Sequence, residues 1–208
     1  MLRHYRGKER RHGVACPDAD RGGRGCGRGV IAAEAGCVGW AIVGEICVAG
    51  ILGRMNNQSG FELRDAEYQR RVRDSFERQG LMKHLGAELV SLEPGAAVIR
   101  VPFRGELTQQ HGYFHAGVTG AVADSACGYA AYTLMGAEDS VLTVEYKINL
   151  LAPADGEELV ARARVVRSGK TLKVCMADVF VRKAGAENHC ATVLATIMCM
   201  AGKAGRPQ

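Results

Sequence analysis

The sequence predicts an α+β fold in which one long antiparallel sheet wraps a single central apolar helix, housed in residues 55–208. Three observations predict it. Residues 117–135, GVTGAVADSACGYAAYTLM, form a helix-length run rich in Ala and Gly and charged only at Asp124; a helix apolar on all sides is a buried one. Six runs with strand character flank it, two before and four after. Turn signals separate neighbouring runs, so the strands are close in sequence and suited to antiparallel pairing. Such a helix and such a sheet each supply the apolar partner the other lacks.

The elements follow in order. Ser59 or Asn57 is placed to cap a helix with the body FELRDAEYQRRVRDSFERQG. Its thin apolar stripe is Val72, Phe76 and Leu81, and Gly80 ends it or marks a bend. Strands are expected at 87–93 and 96–103, split by Pro94-Gly95. A polar loop leads to the central helix. SVLTVEYKINLLA (140–152) then alternates, with Leu142, Val144, Tyr146, Ile148 and Leu150 on one side. A Pro153-to-Gly156 turn leads to 158–166, Ser168-Gly169-Lys170 connects to 171–183, and Ala184-Gly185-Ala186 leads to 188–200.

Residues 1–54 do not share this patterning. They hold 12 of the 27 glycines, including the low-complexity stretch RGGRGCGRG, which cannot bury enough apolar surface to offset its ordering entropy. They are expected to be a disordered or non-native N-terminal extension, with Met55 a candidate alternative start. The apolar run 38–52 is shorter than the roughly 20 residues a membrane span requires and carries Glu45. No stable membrane association is expected. Residues 1–55 carry nine of the 27 Lys/Arg and five of the 22 Asp/Glu, so the rest of the chain is nearly neutral despite a net charge of +5. A neutral domain gives no electrostatic reason to expect a nucleic-acid partner. The eight cysteines include no Cys-x-x-Cys pair, and the last four sit in apolar runs, where a free thiol acts as a small hydrophobe. This usage fits a reducing cytoplasm better than a disulfide framework. No metal-ligand cluster and no phosphate-cradling glycine loop stands out.

Asp124 is the residue that needs an account. An ionised carboxylate amid apolar neighbours costs several kcal/mol unless it has partners or keeps solvent access. One reading is a structural Asp bonded within the core; the other is a catalytic acid. His115, in QQHGYFHAGV, stands nine residues earlier, where loop passes into helix. The free N–H groups of a helix start polarise a carbonyl placed before them. Asp124 lies about 11–13 Å further along the axis, too far to serve that end of its own helix. A site shared between two protomers resolves the geometry, so a dimer is inferred. Cys127 shares the Asp124 face but has no basic partner, and reads as core filler.

The stretch Gln109–Ala131, with its His-Ala-Gly…Ala-Asp-Ser-Ala pattern, resembles the PaaI-like branch of the hotdog-fold acyl-CoA thioesterases. The resemblance extends over 60–201, including VLTVEYKINLLAPA and the SGKTL turn. It implies hydrolysis of an acyl-CoA by a homodimer or homotetramer, without metal or prosthetic group, CoA being part of the substrate. It implies Asp124 as general base or nucleophile. The Ala116 N–H at the Ala116-Gly117 helix start becomes an oxyanion donor, and His115 orients the loop or touches the thioester, a capping or structural histidine being its other reading. Gln109 places water or carbonyl, and Thr143 assists from its strand. The acyl group is expected along the central helix near Gly120, Asp124 and the partner's loop, and Arg167, Gly169 and Lys170 near the CoA phosphates, a solvated turn being the other reading there. Ala116 stands where the family has Gly, and Gln109 where it has Asn. A non-catalytic acyl-CoA binding module and a hotdog hydratase or dehydratase remain alternatives.

Overall fold

The computed structural model describes residues 60–204. Backbone contacts divide the chain into Met1–Leu52 and Gly53–Gln208, and the described residues all fall in the second unit. The expected extension, its apolar run, the first four cysteines and the caps Asn57 and Ser59 lie outside the described residues.

The helical lead begins later than the sequence suggests. Asp65 accepts the Glu67 N–H at 2.9 Å, and this local turn delays α1 to Tyr68–Glu77. Its buried stripe is Tyr68, Val72 and Phe76. Gly80 marks the bend, and opens a second short helix, α2, Gly80–Leu85. Leu81 does not join the stripe: Met82 and Leu85 point into the core from α2 while Leu81 is 55% exposed. Two strands follow, β1 (Glu88–Glu93) and β2 (Ala96–Pro102). They meet at Pro94-Gly95, where Gly95 takes φ +76° and a Cβ would stand 2.9 Å from the Phe61 ring.

The central helix is α3, Ala116–Tyr132, three residues shorter at its C-terminus than the run of apolar sequence. Arg71 of α1 closes that end, donating to the carbonyls of Tyr132 and Met135 while its Nε bonds Asp65 at 2.6 Å. The last four strands are β3 (Ser140–Leu150), β4 (Glu158–Ser168), β5 (Leu172–Lys183) and β6 (Ala186–Met200). The six strands form one sheet in the order β1-β2-β4-β5-β6-β3, with every neighbouring pair antiparallel. Helix α3 packs against β2 through β6. This is the expected α+β architecture, a sheet curled round one buried helix.

One departure positions the site. The ladder between β3 and β6 shifts between Thr143 and Glu145, so Val144 is a bulge. Thr143 pairs with buried Ile197, and Tyr146 and Ile148 pair with buried Ala195 and Val193. Directly paired residues share a sheet face. The alternation read from sequence therefore breaks: Leu142 faces outward with Met198, and Thr143 faces the helix.

Candidate active site

Asp124 stands half-buried near the middle of α3, and Thr143 meets it. The Thr143 hydroxyl donates to Asp124 Oδ1 at 2.8 Å, a contact the β3 bulge makes possible by turning Thr143 inward. Burial pushes the Asp124 carboxyl above its ordinary 3.8, and the Thr143 hydrogen bond, which favours the ionised form, opposes that rise. The carboxylate is not sealed. It opens on a cleft of about 310 Å³ between α2 and α3, with Gln79 to Met82 on one wall and Ala121, Asp124 and Ser125 on the other. Periodicity gave no sign that α2 would face Asp124; the only local signal was the helix break at Gly80.

The start of α3 is organised by His115. Its backbone is extended (φ −65°, ψ 138°), and its Nδ1 accepts the Gly117 N–H at 2.9 Å. Its carbonyl accepts from Val118 and Thr119 at 2.9 and 3.2 Å, and its own N–H donates to Leu107 O. His115 is thus an N-cap, and the Gly117 amide is committed to it. Ala116 keeps the one first-turn amide with no acceptor among the described residues, and it is exposed. Within one chain this amide and Asp124 are eight residues apart, about 12 Å along the helix.

The other expected site residues fall elsewhere. Gln109 turns its side chain into its own loop, where Oε1 accepts the His111 N–H at 2.5 Å. Gly120 is buried and faces Tyr146 and Ile148: a Cβ there would lie 3.4 Å from the Tyr146 hydroxyl. That side of Gly120 packs against β3 of the same chain. Arg167, Gly169 and Lys170 are exposed at the β4–β5 turn, remote in sequence from the α3 start. Gly169 is required there, since a Cβ would stand 2.7 Å from the Leu172 carbonyl oxygen. Phe114, Tyr129 and Tyr132 pack in the core, Phe114 edge-on to Phe103 and Tyr129 edge-on to Phe76. Cys127 is buried, and burial raises its thiol far above the ordinary range, which leaves it protonated and inert. No group of three or more His, Cys, Asp or Glu suited to a metal occurs among the described residues. No helix among them is long and apolar enough to cross a membrane.

Comparison with known proteins addresses this same region. The sequence profile of the thioesterase superfamily matches residues 111–186, from the loop before α3 to the start of β6. The 1,4-dihydroxy-2-naphthoyl-CoA hydrolase of Listeria monocytogenes is 30% identical over 95 residues, 46% of this chain and 77% of that protein. The curated relatives that match are spanned over 66 to 78% of their own length. A crystal structure of a thioesterase family protein from Silicibacter pomeroyi is 49% identical, covers 65% of this chain and 99% of that one, and superposes with a TM-score of 0.64. The E. coli PaaI protein of the phenylacetic acid degradation operon shares the fold, at 20% identity over 68% of this chain and 98% of its own, with a TM-score of 0.59. Almost the whole S. pomeroyi protein is matched, and the superfamily profile covers the helix that carries Asp124; the chain belongs to the thioesterase superfamily, a thioester hydrolase of PaaI-like hotdog fold.

Proposed function

We propose that the chain hydrolyses acyl-CoA thioesters to the free acid and CoA, with Asp124 as the carboxylate that activates water. The observation that carries this reading is the placement of Asp124: partly desolvated, tied to the Thr143 hydroxyl, and open to a cleft. A carboxyl whose proton affinity is raised by burial is a better base than one in water, which is the property general-base catalysis uses. Asp124 takes a proton from water as the water oxygen attacks the thioester carbonyl. The tetrahedral oxyanion is held by the Ala116 N–H of a helix start, aided by the helix dipole. Collapse expels CoA as thiolate, which recovers the proton. Direct attack by Asp124, giving a short-lived anhydride that water opens, is the other route the same geometry supports.

The 12 Å between Asp124 and the Ala116 amide of one chain favours a site built from two, as a homodimer or homotetramer. Strand β3 supports it. It ends the sheet and exposes Val144, Tyr146 and Leu150, with Leu151 just past its end, at 44 to 57%. A long edge strand with apolar side chains is a template for pairing with another copy. The CoA reading is supported by the Listeria relative, named for a naphthoyl-CoA hydrolase.

The test is an acyl-CoA panel of acetyl, hexanoyl, decanoyl and phenylacetyl esters with free-thiol detection. Thiol release is expected on at least one ester, and Asp124→Asn is expected to lower kcat about 10²-fold or more with KM little changed, because the group acts in the transition state. Thermal stabilisation by the esters without thiol release would instead make the protein a binding module.

A further inference from the structure

Leu81 is a large apolar side chain left in water while the other two on the same short helix, Met82 and Leu85, are buried. It is 55% exposed, against 1% for Met82 and 4% for Leu85. A singly exposed leucine needs no account on a convex surface. This one lines the same cleft as Asp124. Beside it, Gly80 has a backbone any residue adopts, and a Cβ built there meets nothing within 4 Å. The glycine leaves open room where the cleft is, without being needed for the turn. The two walls are tied across their edge, where the Ser125 hydroxyl donates to Gln79 Oε1 at 3.4 Å. The volume of about 310 Å³ lies at the lower end of the roughly 300–1,000 Å³ typical of small-molecule sites. It suits a compact acyl group and not an entire CoA ester.

We propose that the α2–α3 cleft is the acyl-selectivity pocket beside Asp124, taking compact apolar acyl groups, with Leu81 as its contact wall and the bare side of Gly80 giving part of its room. The inference rests on the reading of Asp124 as the hydrolytic carboxylate. It places the acyl group on the α2 side of Asp124, since Gly120 packs against β3. Leu81 then contributes apolar contact to the substrate rather than to the fold, and its removal leaves the core intact. A Cβ added at Gly80 meets no atom within 4 Å, so a side chain there has the cleft to fill.

The experiment measures kcat/KM for the full chain over straight-chain acyl-CoA esters from two to twelve carbons, in the wild type, Leu81→Ala, Leu81→Trp, Gly80→Leu and Asp124→Asn. Melting temperatures confirm that each variant is folded. The readout is the selectivity ratio between decanoyl and acetyl esters. Filling the cleft with Gly80→Leu or Leu81→Trp is expected to lower it by roughly tenfold or more, the scale set by one or two methylenes in an apolar pocket, and Leu81→Ala to raise it. Should one filling variant not fold, the other carries the test. If the ratio stays within about twofold in all folded variants while Asp124→Asn is inactive, the pocket is overturned and the carboxylate reading stands. If Asp124→Asn retains wild-type turnover, the carboxylate reading falls first, whatever the ratio does. A change in oligomeric state accompanying equal losses on every ester would show the cleft to be filled by protein, which also overturns the proposal.

Discussion

Asp124 is held between two opposing influences, and the balance is open to measurement. Burial raises the carboxyl above 3.8 and the Thr143 hydroxyl pulls it back. Thr143→Val keeps the shape of the side chain and removes the donor, so the acid limb of the pH–rate profile is expected to move to higher pH and kcat to fall about tenfold, the worth of one hydrogen bond to a charged group. An unmoved acid limb would detach Thr143 from the chemistry. Stability should respond in the opposite sense to activity. The carboxyl binds its proton more tightly in the folded chain than in the unfolded one, so stability is lost as pH rises from 3.8 through the raised folded value. Asp124→Asn removes that loss and still accepts the Thr143 hydrogen bond through its amide oxygen. Its melting temperature is expected to exceed the wild type's at pH 7, with the gap closing below pH 3.8. Asp124 was legible in the sequence because one charge on an apolar helix is conspicuous. Its partner was legible only through the family resemblance: Thr143 sits on the polar parity of its run, and the Val144 bulge, a feature of pairing with β6, turns it inward.

At the scale of elements, the junction before α3 sets where the free amide lies. The helix itself could be read from composition, to within one residue at its start, and its neighbours from alternation and turn residues. His115 was read either as a residue that orients the loop or touches substrate or as a cap, and it makes the bonds of a cap: Nδ1 takes the Gly117 N–H, the carbonyl takes two more amides, and Leu107 holds its own. Removing a side-chain cap costs about 1 kcal/mol. His115→Ala is therefore expected to lower the melting temperature by about 2–4 °C, and His115→Asn, which also caps well, to recover most of it. Activity that collapses in both variants while the melting temperature stays put would mean a direct contact with the thioester. The α2 wall of the cleft escaped sequence reading for a different reason. Six residues are too few to show a helical period, and the exposure of Leu81 against buried Met82 depends on how α2 docks. The same holds for Gly120, whose smallness reads equally as room for a ligand or for Tyr146.

At the scale of the whole molecule, the decisive question is whether one chain can complete a site alone. In a helix, Ala116 and Asp124 stay about 12 Å apart along the axis whatever the side chains do. If both act on one carbonyl, they come from two copies, and the apolar edge of β3 is the surface proposed for their pairing. Ala116 offers a clean way to ask. It is the first residue of α3, where proline is well tolerated and loses only the N–H that has no intrahelical partner. His115 before it is already extended, as a residue preceding proline prefers. Ala116→Pro should thus fold normally and lose about 10²–10³-fold in kcat through the missing oxyanion donor. Asp124→Asn should be equally poor through the missing carboxylate. Unfolding and refolding an equal mixture of the two inactive variants forms hybrids in which one site holds the intact Asp124 of one copy and the intact Ala116 of the other. In a two-fold symmetric dimer, random reassortment restores roughly a quarter of the sites. Recovery of about that share of wild-type thiol release is the expected result, whereas a mixture no more active than its components would mean that each site is built within a single chain.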